Sequence, residues 1–103
     1  MIIVLTTTAT REDAEKIADF LLEKKLAACV QIFPISSKYL WKGKVERSGE
    51  FLCLVKTKDE LYQPVEQAIR EVHPYQTPEI VAIPVTKASQ SYLDWLDKET
   101  VKE

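Results

Sequence analysis

The sequence predicts one α+β domain of the ferredoxin-like type, βαββαβ, followed by an additional C-terminal helix. Strand-like and helix-like segments alternate in that order along the 103 residues. No linker-like change in composition and no internal repeat interrupts the chain, so we expect a single domain over 1–103. Apolar residues make up 46% and charged residues 29%, which is typical of a soluble globular domain.

The first two predicted elements are a buried strand and an amphipathic helix. Met1–Thr8 is rich in β-branched residues, which favours a strand. Thr10 followed by Asp13 is a capping signal for a helix that we expect to run to about Lys25. The apolar residues of this helix recur at helical spacing and form one core-facing stripe, which consists of Ala14, Ile17, Ala18, Leu21 and Leu22.

A long hairpin is predicted next. Ala28–Trp41 and Val45–Lys58 alternate as strands, and Lys42-Gly43 suits a turn in which glycine supplies a positive φ. The first strand would span about 46 Å at ~3.3 Å per residue, whereas a domain of this size has a diameter of about 34 Å. The hairpin should therefore bend near Pro34–Ser37 or project from the domain. A projecting, apolar edge favours a homo-oligomer joined through the hairpin strands.

The remaining elements are a helix, a short strand and a final helix. Helical spacing of apolar residues begins near Tyr62 and ends before Pro74. Ile80–Val85 is predicted to be a short strand, and Pro84 within it indicates a sheet edge or a strand end. Ser89 suits the cap of the final helix.

Composition excludes several classes of function. Two glycines cannot build a dinucleotide fingerprint or a P-loop, and one histidine excludes any site that needs two imidazoles from one chain. A formal net charge of −2 argues against nucleic acid as a partner. The apolar runs reach five residues, far below the ~20 of a membrane span. The short apolar N-terminus and two cysteines interpreted as free thiols favour a cytoplasmic protein.

The densest polar, turn-rich segment is 73–79. His73 offers a nitrogen ligand or a titrating group, Glu79 a carboxylate and Tyr75 a hydrogen-bonding ring. Two prolines stiffen this loop, which suits a site. Alternatively, His73 only caps the preceding helix, whose dipole favours a cation there. One imidazole and one carboxylate would make a weak metal site unless neighbouring subunits add ligands.

Two other groups of residues have open interpretations. Cys29 and Cys53 lie in apolar strand patterns and are either inert core thiols or soft ligands for Cu(I). The hairpin tip could bind a small anion, form ion pairs across an oligomer interface or simply be solvated. Its aromatic and charged residues are Lys38, Tyr39, Trp41, Lys42, Lys44, Glu46, Arg47 and Glu50. No nucleophile–base pair stands out, so we expect no enzyme.

Five groups of motifs follow one another between about Met1 and Leu96. They are Leu26-Ala27-Ala28-Cys29-Val30; Ser37-Lys38-Tyr39 with Trp41-Lys42-Gly43-Lys44; Lys56-Thr57; His73-Pro74-Tyr75 with Pro78-Glu79-Ile80; and Tyr92-Leu93 with Trp95-Leu96. Together they resemble the CutA family of divalent-cation tolerance proteins. The resemblance implies a ferredoxin-like chain that forms a tight homotrimer through its long strands, with no established enzymatic reaction. It also implies a cytosolic role in tolerance of copper and other divalent ions.

The resemblance also implies candidate metal ligands. The family's copper ligands are a cysteine near the end of the first strand and two adjacent histidines before Pro-Tyr. In this chain Thr6 and Val72 stand at the first two of these positions, and His73 matches the third. The leading hypothesis is a trimer that binds a divalent metal such as copper weakly, through His73 and, less well, Glu79, with no organic cofactor.

The alternative hypothesis belongs to a different class of function. It is a signal-type or scaffold module that binds a small ligand in clefts between subunits. The residues that would contact this ligand are Tyr39, Trp41, Lys44, Lys56, Tyr75 and Glu79.

Overall fold

Four strands form one antiparallel sheet in which the strands lie in the order β2-β3-β1-β4. These strands are β1 (Ile2–Thr8), β2 (Cys29–Trp41), β3 (Lys44–Thr57) and β4 (Val81–Pro84). The helices are α1 (Arg11–Glu23), α2 (Tyr62–Val72) and α3 (Gln90–Glu99), and a short 3-10 turn precedes α2. The structure is a computed structural model and describes residues 1–102. It confirms the α+β class, the added C-terminal helix and the long β2–β3 hairpin.

The core lies between the sheet and the helices α1 and α2. Alternate residues of β1 and β3, among them Val4 and Val55, face the apolar stripes of these helices. Ile17, Leu21 and Ile69 are fully buried there, and each such side chain contributes roughly 1.5–3 kcal/mol of hydrophobic free energy. The spacing of apolar residues therefore predicted the buried faces of both helices, except at Leu22, which was expected in the stripe of α1 and is 41% exposed.

Side-chain caps and a left-handed residue set the helix ends. Thr10 Oγ1 accepts a hydrogen bond from the Asp13 amide at 3.1 Å, as the sequence predicted, and Ser89 Oγ accepts one from the Tyr92 amide at 3.3 Å. Helix α1 ends at Glu23, slightly earlier than expected, because Lys25 turns to φ 57°. The Leu26 amide then donates to the Leu21 carbonyl at 2.9 Å, which closes the last turn.

The hairpin projects beyond the rest of the sheet. Its register is continuous from Cys29 opposite Lys56 to Trp41 opposite Lys44, so it does not break where Pro34 was expected to allow a bend. Of the residues of β3, only 51–57 pair with strand β1. Within residues 1–102, the outer halves 35–41 and 44–50 therefore pair only with each other, and the chain's longest dimension is 44 Å against 26 and 20 Å.

The turn at the hairpin tip has the geometry that the right-handed strand twist favours. Lys42 has φ 52° and Gly43 φ 79°, so both central residues are left-handed, as in a type I′ turn. The sequence predicted the positive φ of the glycine. The left-handed lysine could not be predicted, because lysine rarely adopts this conformation.

The sheet face opposite α1 and α2, here called the open face, carries exposed apolar side chains in the single chain. Phe33, Val81 and Ile83 lie on it and are 42%, 47% and 50% exposed. Ile3 and Leu54 lie between them and are half-buried. None of the helices within residues 1–102 combines the length and apolar character that a membrane crossing needs.

Candidate functional site

A groove of about 830 Å³ lies where β1 ends and the hairpin continues alone. On the open face, the outer half of the hairpin contributes aromatic and acidic side chains, which are Tyr39, Trp41, Glu46 and Glu50. The loop between α2 and β4 contributes Tyr75, Gln76, Thr77 and Glu79 to the other wall, and β1 contributes Thr7. The fold thus brings together three segments that are distant in the sequence.

His73 fixes the loop wall to the end of β1. Its backbone amide donates to the Ile69 carbonyl at 2.9 Å and so ends α2, while the residue as a whole is only 9% exposed. The Tyr75 amide donates to His73 Nδ1 at 3.1 Å, so Nδ1 acts as an acceptor. The ring proton therefore lies on Nε2, which donates to the Thr7 carbonyl at 2.8 Å. His73 is thus a cap through its backbone and a structural tie through its ring.

These contacts set a condition on metal binding by His73. Both ring nitrogens already have partners, so a metal ion would have to displace the Thr7 carbonyl or the Tyr75 amide. Glu79 is exposed and lines the groove. Within residues 1–102 no group of three or more His, Cys, Asp or Glu side chains is arranged to hold a metal ion. The assignment of His73 and Glu79 as metal ligands stays a prediction.

The residues at the family's copper positions do not form a soft donor set within one chain. Thr6 is fully buried on the helix-facing side of β1, opposite Cys53. Val72 packs against the core as an apolar side chain. Only His73 supplies a nitrogen that suits copper. These positions therefore do not fit a cysteine–histidine copper site in the single chain.

Glu50 is a site residue that the sequence analysis had grouped with the charges of the hairpin tip. It is 8% exposed, and its Oε2 accepts a hydrogen bond from the Tyr75 hydroxyl at 3.1 Å. Burial, followed by the contact with Glu50, raises the pKa of Tyr75 to about 12, so the phenol donates at neutral pH. The strand period gave a signal, because Glu50 shares its face with the apolar Leu52 and Leu54.

The predicted ligand-binding residues separate into two groups. Tyr39, Trp41 and Tyr75 line the groove together. Lys44 is opposite Trp41 beside the tip turn and is not part of the groove lining. Lys56 is six positions from Glu50 along β3, about 20 Å away in an extended strand. Its Nζ lies 5.8 Å from the ring centroid of Tyr92 in α3.

The two cysteines are free thiols in different surroundings. Cys53 is fully buried in the core, and burial, followed by the charge of Glu15, raises the pKa of its thiol to about 11. Cys29 is half-buried at the start of β2. The geometry agrees with an inert core thiol at Cys53 and gives it no role in the groove.

Comparison with known proteins gives full-length matches. The family profile described as "CutA1 divalent ion tolerance protein" matches residues 2–99. The divalent-cation tolerance protein CutA of Archaeoglobus fulgidus is 48% identical over 99 residues, which cover 96% of each chain. The crystal structure of CutA1 from Pyrococcus horikoshii superposes with a TM-score of 0.95 at 38% identity and covers 99% of this chain and 100% of that one. The structure of the periplasmic divalent cation tolerance protein CutA from Archaeoglobus fulgidus gives a TM-score of 0.93 at 45% identity and covers 96% of this chain and 98% of that one.

Proposed function

Because this chain belongs to the CutA1 divalent ion tolerance family, we propose that it acts in the tolerance of divalent cations as a homotrimer that binds a divalent ion such as copper weakly. The proposed role is binding and not catalysis. The buried thiol of Cys53 and the doubly hydrogen-bonded ring of His73 support this, because neither is arranged as a nucleophile or its base.

The open face is the observation that carries the proposed assembly. An uncovered apolar sheet face beside a projecting two-stranded ribbon is a surface that soluble chains cover by association. A closed ring of three copies would bury the open face and the outer hairpin of each chain. The occupant we propose is a second copy of this chain.

Weak metal binding follows from the ligands that one chain offers. His73 must give up one hydrogen bond to bind an ion, and Glu79 supplies one exposed carboxylate. Imidazole and carboxylate together suit divalent ions such as Cu(II), Ni(II) and Zn(II), with copper favoured by its position in the order of affinities. A neighbouring copy would complete the ligand set.

We further propose that the protein works in the cytoplasm. Both cysteines are free thiols, as expected for a reducing compartment. The Archaeoglobus fulgidus relative is described as periplasmic. Immunoblotting of fractionated cells from the source organism tests the location, and recovery outside the cytoplasmic fraction would contradict it.

Sedimentation equilibrium tests the assembly. We expect a mass three times that of the 11.8 kDa chain. Ile83→Lys places a charge on the open face and should shift the protein toward monomer. Leu22→Lys is the matched control, since Leu22 is an exposed apolar residue of α1, away from this face. A wild-type mass of one chain at micromolar concentration would contradict the trimer.

Calorimetric titration with Cu(II), Zn(II) and Ni(II) tests the ligands. His73→Ala and Glu79→Gln should each weaken binding, whereas Glu71→Gln, an exposed carboxylate of α2, should leave it unchanged. An unchanged isotherm for His73→Ala would remove this residue as a ligand.

A second candidate function is a signal-type or scaffold module that binds a small ligand in clefts between subunits. The groove favours it, because its volume and its mixture of aromatic and polar side chains suit a small molecule. Quenching of Trp41 fluorescence by a fragment library tests it, with the Trp41→Leu variant as a baseline for the second tryptophan, Trp95. The absence of any Trp41-dependent response would contradict this function.

A further inference from the structure

We propose that, in the trimer, the outer hairpin of one copy seats its cationic face on the groove of the next, so that Lys38 and Arg47 of one chain supply the counter-charge to Glu50 of its neighbour. The inference rests on the assembly proposed above and names the contacts that close it. It draws on exposed apolar residues on both faces of the outer hairpin, on two like charges that lie opposite each other, and on a buried carboxylate without a cation in its own chain.

The outer hairpin has a second face, here called the back face, which points away from the open face. Alternation along the paired strands places three cross-strand pairs on it, which are Ser36 with Gly49, Lys38 with Arg47, and Leu40 with Val45. Leu40 and Val45 are 75% and 67% exposed in the single chain. Because Tyr39 and Trp41 are also exposed on the opposite face, we expect the assembly to cover both faces of this ribbon.

The back face carries two like charges without an anion. Lys38 and Arg47 are directly opposite each other, an arrangement that destabilises a strand pair. Within residues 1–102 no carboxylate oxygen lies within 4.0 Å of the nitrogens of either side chain. Beside them, the small residues Ser36 and Gly49 leave a hollow of about 360 Å³, and the space where Gly49 would carry a Cβ is open. A carboxylate from another copy can therefore approach both cations.

The groove offers the complementary charge on the open face. Glu50 is 8% exposed, and its hydrogen-bond partner is the neutral phenol of Tyr75. Within residues 1–102 no Lys or Arg nitrogen lies within 4.0 Å of Glu50. A buried carboxylate without a cation is costly, and association buries this groove further. We therefore expect its cation to come from the neighbouring copy.

A second carboxylate and a small pair of residues complete the acceptor surface. Glu46 lies four positions from Glu50 on the same strand and face, and is exposed. The pair Ser37–Ser48 lies between them on that face, about 7 Å from each along an extended strand. Two cationic side chains seated over this small pair can each reach one carboxylate.

The symmetry of a closed ring of three agrees with this arrangement. Each copy in such a ring contacts one neighbour through one surface and the other neighbour through a different surface. The outer hairpin supplies two such surfaces, one with aromatic and acidic residues on the open face and one with aliphatic and cationic residues on the back face. Their charges are complementary, which favours contact between unlike faces and disfavours contact between like faces.

Charge reversal on the back face tests the contact. Arg47→Glu should lower the association constant of the trimer at least ~10-fold, because it places a carboxylate against the carboxylates of the neighbour. Sedimentation equilibrium at increasing urea concentration measures the change, since urea brings even a tight trimer into the range where it dissociates. Lys16→Glu is the matched control, because Lys16 is exposed on α1 and its reversal changes the net charge equally. It should leave association unchanged.

A charge exchange tests the pairing itself. Glu46→Lys alone should also weaken the trimer, whereas Glu46→Lys and Arg47→Glu in one chain should restore most of the association, because the two faces then exchange their charges. Glu46 and Arg47 lie on opposite faces of β3, so the two residues do not replace each other's partner within a chain. A double-mutant cycle of Arg47→Ala with Glu50→Gln then tests the buried carboxylate, and the combined loss should be smaller than the sum of the single losses.

The outcomes separate this inference from the assembly on which it rests. A wild-type mass of one chain overturns both. A wild-type trimer that Arg47→Glu leaves unchanged, or a charge exchange that restores nothing, overturns the inference and leaves the trimer. Strictly additive losses in the cycle overturn the assignment of Glu50 as the partner. Because Glu46 and Arg47 are both exposed in the single chain, the charge exchange decides even where Glu50→Gln fails to fold.

Discussion

His73 Nε2 lies 2.8 Å from the carbonyl oxygen of Thr7, a residue 66 positions earlier in the chain. This hydrogen bond joins the end of β1 to the loop that forms one wall of the groove. The Tyr75 amide bonds to the other ring nitrogen, and the Tyr75 hydroxyl reaches Glu50 on the hairpin. His73 and Tyr75 together thus join the three segments of the groove.

His73→Ala is expected to destabilise the fold by about 1–3 kcal/mol, because it leaves the Thr7 carbonyl and the Tyr75 amide without their partner. Urea unfolding at a fixed protein concentration measures the change, since association contributes to apparent stability. Glu79→Ala, in the same loop but exposed, serves as the control and should change stability little. A loss below about 0.5 kcal/mol, the range of ordinary surface substitutions, would contradict the structural role.

Two fully buried threonines should respond in opposite ways to replacement by valine. Thr57 Oγ1 donates to the Leu26 carbonyl at 2.6 Å, whereas Thr6 Oγ1 has no partner within residues 1–102. Thr57→Val should cost roughly 1–3 kcal/mol. Thr6→Val should be neutral or stabilise by up to about 1 kcal/mol, because it removes an unsatisfied buried hydroxyl. Thermal unfolding of the two variants measures both changes in stability. Equal losses would contradict the hydrogen bonding assigned to the two hydroxyls.

Tyr75 should titrate above the ordinary pKa of tyrosine. Its pKa rises from 10.0 to about 12, so folding favours the neutral phenol. The resulting stabilisation is complete below about pH 10, the ordinary pKa of tyrosine, and is lost as the pH rises toward 12. Absorbance at alkaline pH should show a late step that Tyr75→Phe removes. If that variant loses an early step instead, the contact with Glu50 does not hold in solution.

Cys53 should react with thiol reagents only after unfolding. It is fully buried and the pKa of its thiol is about 11. Near neutral pH a reagent therefore cannot reach the thiol, and very little of the thiol is ionised to the reactive thiolate. A Cys29→Ser variant isolates this thiol. We expect no modification in native buffer and one equivalent in denaturant. Rapid modification of Cys53 in native buffer would show that the core opens easily.

Lys42→Asn should stabilise the hairpin. Lys42 adopts a left-handed conformation at φ 52°, next to Gly43. This conformation costs most residues about 1–2 kcal/mol, and Asn-Gly is the preferred pair in type I′ turns. Urea unfolding should show a gain of several tenths of a kcal/mol or more. Lys44→Asn, placed in strand β3, is the control and should give no gain.

Periodicity predicted the elements and their buried faces well, because each signal is local. The stripe containing Ile17 and Leu21 and the caps at Thr10 and Ser89 depend on residues a few positions away. The sequence could not decide whether the hairpin bends or projects. It depends on where β1 stops pairing with β3, which is a matter of tertiary register.

The candidate site was predicted only in part for the same reason. The polar loop from His73 to Glu79 and the aromatic residues Tyr39 and Trp41 were identified by type and local pattern. The hydrogen bonds from His73 to Thr7 and from Tyr75 to Glu50 join residues far apart in sequence. A single sequence carries no signal for such pairs.

The outer hairpin also has a consequence for local opening of the molecule. A two-stranded ribbon without a third strand is marginal in water, so in an unassociated chain its amide protons should exchange by fraying from Gly43 inward, at a lower free energy than global unfolding. Protection should rise near Phe51, where β1 begins to pair with β3. Since this ribbon is one wall of the groove, any occupant that touches Tyr39 or Trp41 will slow hydrogen exchange there first.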